Sequence, residues 1–307
     1  MHYPVVVFGV KDASENVIRY IHTELIPVSL VVTIAPEVTQ KNQVAGYKGL
    51  SGLTEELGIP VYEAKRYPLD DDETQGFFRD NTFDVGIAMG WQRLIPKNVL
   101  DRFAKGVYGF HGNAGYLPFG RGRSPLNWTI LLGDTRFNLN LFRYDEQADS
   151  PNVFATTMFQ ITPHDDIRTA SYKNLICSKR MIADLIAAYK TGGDIPIRTS
   201  SRDFDSWYEK RSPQDGKIDF TKRTRQIHDL IRAVTAPFPG AFCTCNGENV
   251  QVWKAQPFDE MMDFSAHAPG EIIDVMDGRL IVRTVDGSLL ITEYESKLKL
   301  EKGMILT

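Results

Sequence analysis

Cysteine is scarce in this sequence: Cys177, Cys243 and Cys245 are the only three in 307 residues. A disulfide framework is therefore excluded. The Cys-Thr-Cys pair at 243–245 has neither the CxxC spacing nor the partner His/Cys pair of a metal site, so no metal is expected. The three read as reduced core or strand residues. Long apolar runs are also missing, none approaching the ~20 residues of a membrane span. The start, MHYPVVVFGV, has no basic n-region and no small-residue cleavage site. These absences point to a cytoplasmic protein without a membrane anchor. A basic surplus is lacking as well: 35 Lys+Arg stand against 39 Asp+Glu, and residues 201–307 hold 14 against 17. No electrostatic footprint for nucleic acid results.

What is present is a 42% hydrophobic content, enough for a sizeable core, in an alternating arrangement. PVVVF (4–8) is a β-branched run ending at Gly9, and Asp12 and Ser14 can cap an amphipathic helix through Leu25. The order recurs with a strand at 28–34, a helix near 50–57, IPVYEA (59–64), a helix near 72–78 and DVGIAM (84–89). Strands alternating with helices predict a mostly parallel, Rossmann-like α/β sheet covered on both faces. No G-x-G-x-x-G follows Gly9, so the usual dinucleotide is not expected. FNLNLFR (137–143) alternates with period two, and VFATTMFQI (153–161) is a further strand. Asp165 and Asp166 cap a helix through Tyr189 that stops at Gly192-Gly193.

After the polar stretch that begins at Gly192 come one helix (221–234) and five short β runs: GAFCTC, VQVWKAQ, EIIDVM, RLIVRTV and LLITEY. Separated by NGE, PGE and DG turns, they predict a small OB-like barrel. The expected division is a catalytic domain over 1–203 and an OB-like domain over 204–307. Trp128 and Trp253 read as core residues.

GFHGNAGYLPFGRGRSPLNW (109–128) shows no strand or helix of its own and reads as an irregular, function-bearing loop. Attack of an amine on an acyl carbonyl needs a base, a donor for the developing oxyanion and a carboxylate that orients the base. His111 and Asn113 are suitable types, and YDEQADSPNV (144–153) supplies Asp145 and Asp149. Arg121 and Arg123, flanking Gly122, suit bidentate binding of an anionic group such as a nucleotide diphosphate.

Leu117, Pro118, Arg121, Gly122, Pro125 and Trp128 fall in register with Asn-x-His-x-Ser-Leu-Leu-Pro-x-Tyr-Arg-Gly-x-x-Pro-x-x-Trp. In this the sequence resembles the folate-dependent formyltransferases, most of all the formyltransferase domain of the bacterial aminoarabinose pathway and the sugar N-formyltransferases. AMGWQRLIP (88–96) is similar to the family's loop over the folate pteridine. RSPQDGKIDF and IHDLIRAVTAPFPGAF, within 211–242, resemble the start of its C-terminal domain.

The resemblance implies N10-formyltetrahydrofolate as donor and formyl transfer to a primary amine, here that of a nucleotide-linked amino sugar. It implies His111, Asn113 and Asp149 as catalytic residues. Met89, Gly90, Trp91, Leu94 and Asp145 would hold the donor, and Arg121, Gly122 and Arg123 the acceptor. A homodimer is compatible with it. A methionyl-tRNA formyltransferase and a catalytically impaired binding homologue are the alternatives. Two departures stand out. Aligned on the histidines, the segment from His111 to Pro118 is two residues longer than the family's; aligned from Pro118 without a gap, His111 takes the Asn position and Asn113 the His position. Pro151 replaces the Gly that follows the catalytic Asp, removing an N–H and a positive φ.

Overall fold

The computed structural model describes residues 1–42, 47–146, 152–199 and 205–307, and of 40–42 the backbone only. The chain opens with β1 (His2–Gly9), α1 (Asp12–Tyr20) running into a π-helical turn (Ile21–Leu25), β2 (Leu30–Ile34), α2 (Pro36–Asn42), α3 (Ser51–Leu57) and β3 (Val61–Ala64). Next come α4 (Asp72–Asp80), β4 (Thr82–Met89), α5 (Lys97–Leu100) and β5 (Phe103–Asn113). These five strands stand in the order β3-β2-β1-β4-β5 and pair in parallel. The expected Rossmann-like sheet is present. Its strands are apolar on both faces because both are covered, so Val5, Val6, Val7 and Phe8 are all fully buried. Phe83 and Phe103 stack at 4.9 Å, and Phe8 meets Trp91 at 5.8 Å.

Then follow β6 (Arg121–Gly122), α6 (Pro125–Leu131), β7 (Arg136–Arg143), β8 (Asn152–Gln160), α7 (Ile167–Lys190), β9 (Arg198–Thr199) and β10 (Trp207–Tyr208). β7, β8 and β9 extend the large sheet beyond β5. β7 runs antiparallel to β5, with His111 opposite Asn140 and Asn113 opposite Asn138. β6 and β10 form a two-stranded sheet of their own. Asp166 caps α7 as expected, its carboxylate accepting the Thr169 N–H at 2.8 Å.

The remainder is α8 (Thr224–Val234), β11 (Ala241–Cys245), β12 (Glu248–Asp259), β13 (Ile272–Met276), β14 (Arg279–Arg283) and β15 (Ser288–Ser296). The antiparallel strands order as β11-β12-β15-β14-β13. Residues 304–307 bridge the two outer strands: Thr244 and Thr307 exchange N–H···O=C bonds of 2.7 and 2.8 Å, while Ile272 donates to the Met304 carbonyl at 2.8 Å. The sheet is thereby closed in the manner of an OB-like barrel. Cys243 and Cys245 lie in it, free and buried. Burial pushes the Cys243 thiol up to about 12.

Two compact units result, neither a single stretch: Met1–Gly122, Asn138–Phe159 and Asn174–Trp207 in one, Arg123–Phe137, Gln160–Lys173 and Tyr208–Thr307 in the other.

Three expectations are corrected. Residues 109–113 are the end of β5, and 121–122 and 125–131 are also regular. The Gly, His and Asn of Gly109–Asn113 have little strand propensity, and the ladders with β4 and β7 impose the strand on them. The first helix gives way to a π turn at Ile21. Trp128 and Trp253 are half-buried: Trp128 stacks on Tyr208 at 5.7 Å, and the Trp253 indole donates to Glu295.

Candidate active site

Strand order reverses between β1 and β4, and in open α/β sheets ligands bind at the carboxyl ends of the strands flanking such a reversal. There Gly9 lies opposite Met89. Ser14 ties these ends together: its Oγ accepts from the N–H groups of Val10 and Lys11, both at 3.1 Å, and donates to the Met89 carbonyl at 2.6 Å. Gly90 takes φ 73°, where a side chain would be strained. Met89 and Trp91 are buried, and Leu94 is exposed. The Trp91 ring meets Phe8 and Tyr67 edge-on, and its buried Nε1–H has no hydrogen-bond partner among the described residues. Of the residues expected over the donor, Met89 and Trp91 are thus packed inward.

His111, 6% exposed, and Asn113, 0% exposed, occupy alternate positions near the end of β5 and so share one face. The His111 Nε2 stands 2.7 Å from the Gly120 carbonyl. A carbonyl only accepts, so Nε2 carries the hydrogen and Nδ1 is the basic nitrogen of the neutral ring. The Asn113 amide is engaged within its own turn, donating to the Phe119 carbonyl and accepting the Gly115 N–H at 2.6 Å.

Opposite them on β7, Asn138 and Asn140 are also buried. Asn138 donates to the Ala114 carbonyl at 2.9 Å, and Asn140 to that of His111 at 3.2 Å. Thr156 donates to Asn140 Oδ1 at 2.7 Å. Sequence reasoning missed these three residues and read Ser14 only as a helix cap. The available signal was the N-x-N inside FNLNLFR: in a sheet covered on both faces, even the polar positions of an alternating strand are buried.

Asp145 is not brought to His111. The Tyr144 N–H bonds the Val107 carbonyl and Tyr108 pairs with Arg143, so the chain leaves the β5 ladder on the side away from Asn113. Asp145 accepts from Asn152 at 3.2 Å and lines a cavity of about 670 Å³ with Lys97, Asp101 and Arg143. Asp149 lies outside the described residues, as does Pro151.

Arg121 is buried, ion-paired with Asp205 at 2.8 Å and stacked over Trp207 at 4.2 Å. Gly122 takes φ 103°. Arg123 is half-buried, with no side-chain partner among the described residues. A further cavity of about 550 Å³, in the second unit, is lined by His164, Arg225, His228 and Arg232 and contains none of the expected site residues. Among the described residues no three His, Cys, Asp or Glu side chains are grouped as metal ligands, and no helix is long and apolar enough to cross a membrane.

The family described as Formyl transferase matches residues 4–183, and its C-terminal domain matches residues 210–302. The chain belongs to the formyl transferase family. Its fold is similar to that of WlaRD, a sugar 3N-formyl transferase solved in the presence of dTDP and 5-N-formyl-THF, at TM-score 0.68 and 16% identity over 97% of this chain and 98% of that one. An N-formyltransferase from Helicobacter canadensis, in complex with folinic acid and dTDP-3-aminofucose, superposes at TM-score 0.67 and 15% identity, covering 95% and 99% of the two chains. HypX from Aquifex aeolicus, in complex with tetrahydrofolic acid, reaches 0.62 at 20% identity over 97% of this chain but only 45% of its own.

Proposed function

We propose that this formyltransferase moves a formyl group from N10-formyltetrahydrofolate to the primary amine of a nucleotide-linked amino sugar. The observation that carries the reading is a buried histidine at the end of β5 whose Nε2–H is held by the Gly120 carbonyl. Such a ring is fixed in one tautomer, with Nδ1 as the base. Its setting within the sugar-enzyme signature, and the sugar nucleotides and folates bound by structurally similar proteins, support the choice of substrates.

In the proposed reaction His111 takes a proton from the acceptor ammonium, and the freed amine adds to the formyl carbon. The tetrahedral adduct then gives up the amine's second surplus proton to solvent and collapses: its bond to folate N10 breaks, N10 takes the proton held by His111, and tetrahydrofolate and the formamide leave. The oxyanion is assigned to protonated His111 rather than to Asn113, whose amide already serves its own turn. Asp149 would assist the proton transfer to and from His111, and Arg123 would meet the nucleotide's diphosphate. The catalytic domain would extend over 1–203.

Mass spectrometry of amino sugar nucleotides incubated with the protein and N10-formyltetrahydrofolate tests this, with initiator Met-tRNA as one member of the panel. A 28-dalton gain confined to a sugar nucleotide and lost in His111→Ala is expected, ~28 being the mass of CO added to the amine on general acid–base transfer. Full transfer by His111→Ala would overturn the assignment of the base, and formylation of the tRNA alone that of the acceptor.

A further inference from the structure

We infer that Asn138 and Asn140 of β7, with Thr156 of β8, are positioning residues that set the His111–Gly120 segment for formyl transfer. The inference rests on the reading of His111 as the base.

Asparagine is a poor choice for the interior of a covered strand. It packs less apolar area than Val or Ile, has low strand propensity, and buries an amide that must find partners. Yet both residues are within 2% of complete burial. Their main-chain partners include two carbonyls of one segment: Asn140 reaches the carbonyl of His111 itself, and Asn138 reaches that of Ala114. Asn140 also donates to the Asn138 carbonyl at 3.3 Å, linking the two positions.

The same segment is gripped from within by Asn113 and by the His111–Gly120 bond. A strand end and the turn after it are thus laced by side chains on both sides of the β5:β7 ladder. An amide can turn over, exchanging donor and acceptor ends. The His111 and Asn138 carbonyls, which only accept, select the orientation in which Nδ2 faces His111, and the Thr156 hydroxyl, donating to Asn140 Oδ1 at 2.7 Å, holds the other end of the amide in place. Thr156 itself is exposed, so it can be altered without opening the core.

The test compares Asn138→Ala, Asn140→Ala, Thr156→Val and Thr156→Ser with wild type. Thr54→Val serves as the control, because Thr54 is a buried, hydrogen-bonded residue of α3 away from the site. Transfer is measured with the acceptor selected by the panel. Independently of any acceptor, the histidine rings are titrated by NMR in histidine-labelled protein, His111→Ala assigning the His111 signal.

Because misplacing a catalytic group by about 1 Å costs on the order of 100-fold, Asn138→Ala and Asn140→Ala should lower kcat by about that factor, with KM for the donor nearly unchanged. Thr156→Val should lower it by roughly tenfold, and Thr156→Ser should restore it. The titration of His111 should move in the Ala and Val variants and stay in place in Thr156→Ser and Thr54→Val.

An unmoved His111 signal, or a Thr156→Val protein that behaves as Thr156→Ser, overturns the inference. If the Ala variants fail to fold, the Thr156 pair decides it. If His111→Ala retains transfer, the reading of the base falls instead, and the NMR comparison still judges the positioning.

Discussion

His111 and Arg123 are the residues on which function is most directly testable. Of the two arginines beside Gly122, Arg121 is ion-paired with Asp205 and stacked on Trp207, and the proposed function assigns the acceptor's diphosphate to Arg123. Charge-assisted bonds contribute about 1.5–3 kcal/mol, so Arg123→Gln should raise the acceptor KM by roughly 10–100-fold with little change in kcat. Steady-state kinetics with the acceptor varied would check this, and a fall in kcat at constant KM would contradict it. The residue types at 111, 113 and 123 were legible in the sequence. The commitment of Arg121 was not, because its partners lie more than eighty positions away and nothing local marks them.

His228 gives a prediction about stability. Burial, with Arg232, Arg225 and His164 nearby, lowers its pKa to about 4. An unfolded histidine titrates near 6.5, so between about pH 6.5 and 4 the unfolded chain binds the extra proton and the folded one does not. This contribution is therefore complete above about pH 6.5 and is lost as pH falls toward 4. Its size is on the order of 3 kcal/mol. Denaturant unfolding at a series of pH values should show the loss, and His228→Gln should flatten the curve in that window.

At the scale of elements, β5 and α8 are the instructive cases. A Cβ added at Gly109 would overlap the Tyr144 ring, so Gly109→Ala should cost about 1–3 kcal/mol through overpacking and displace the strand that carries His111. Thermal unfolding together with the transfer assay would register both effects. On α8, Arg232 is bonded to Asp229 at 2.7 Å and to the Asp165 carbonyl at 2.9 Å, all buried. Arg232→Met would leave the Asp229 carboxylate, already raised by burial, without its partner. A loss of about 3–5 kcal/mol is expected in denaturant titration.

Strands with apolar, β-branched runs were legible, as was the cap at Asp166, which accepts a backbone N–H three residues on. The end of β5 was not: its glycines and polar residues are strand only because neighbours on both sides hydrogen-bond to them. For the same reason FNLNLFR did not disclose the burial of Asn138 and Asn140, since period-two alternation does not reveal that the second face is covered.

At the scale of the whole chain, alternation predicted the α/β sheet, and regular turns predicted the β-rich unit after it. The interleaving of short stretches into two compact units was not legible. Which unit a segment such as 123–137 joins depends on long-range contacts that leave no period in the sequence. The closing bonds of the β-rich unit are long-range too, Thr244 and Thr307 being paired across 63 positions. Removing residues 304–307 should lower the melting temperature of this unit and raise amide exchange at Thr244 and Ile272, whose N–H groups those residues engage. Unchanged exchange there would contradict the closure.

That closure also bears on the chain's synthesis. β11 and β13 are made well before the segment that covers their outer edges. In the interval both present unpaired N–H and C=O groups, a template for pairing with another chain. Bonds between distant residues form late, because the intervening loop entropy must be overcome first. Those parts of the two edges that residues 304–307 engage, at Thr244 and Ile272, therefore stay open to such pairing until these four residues find their place.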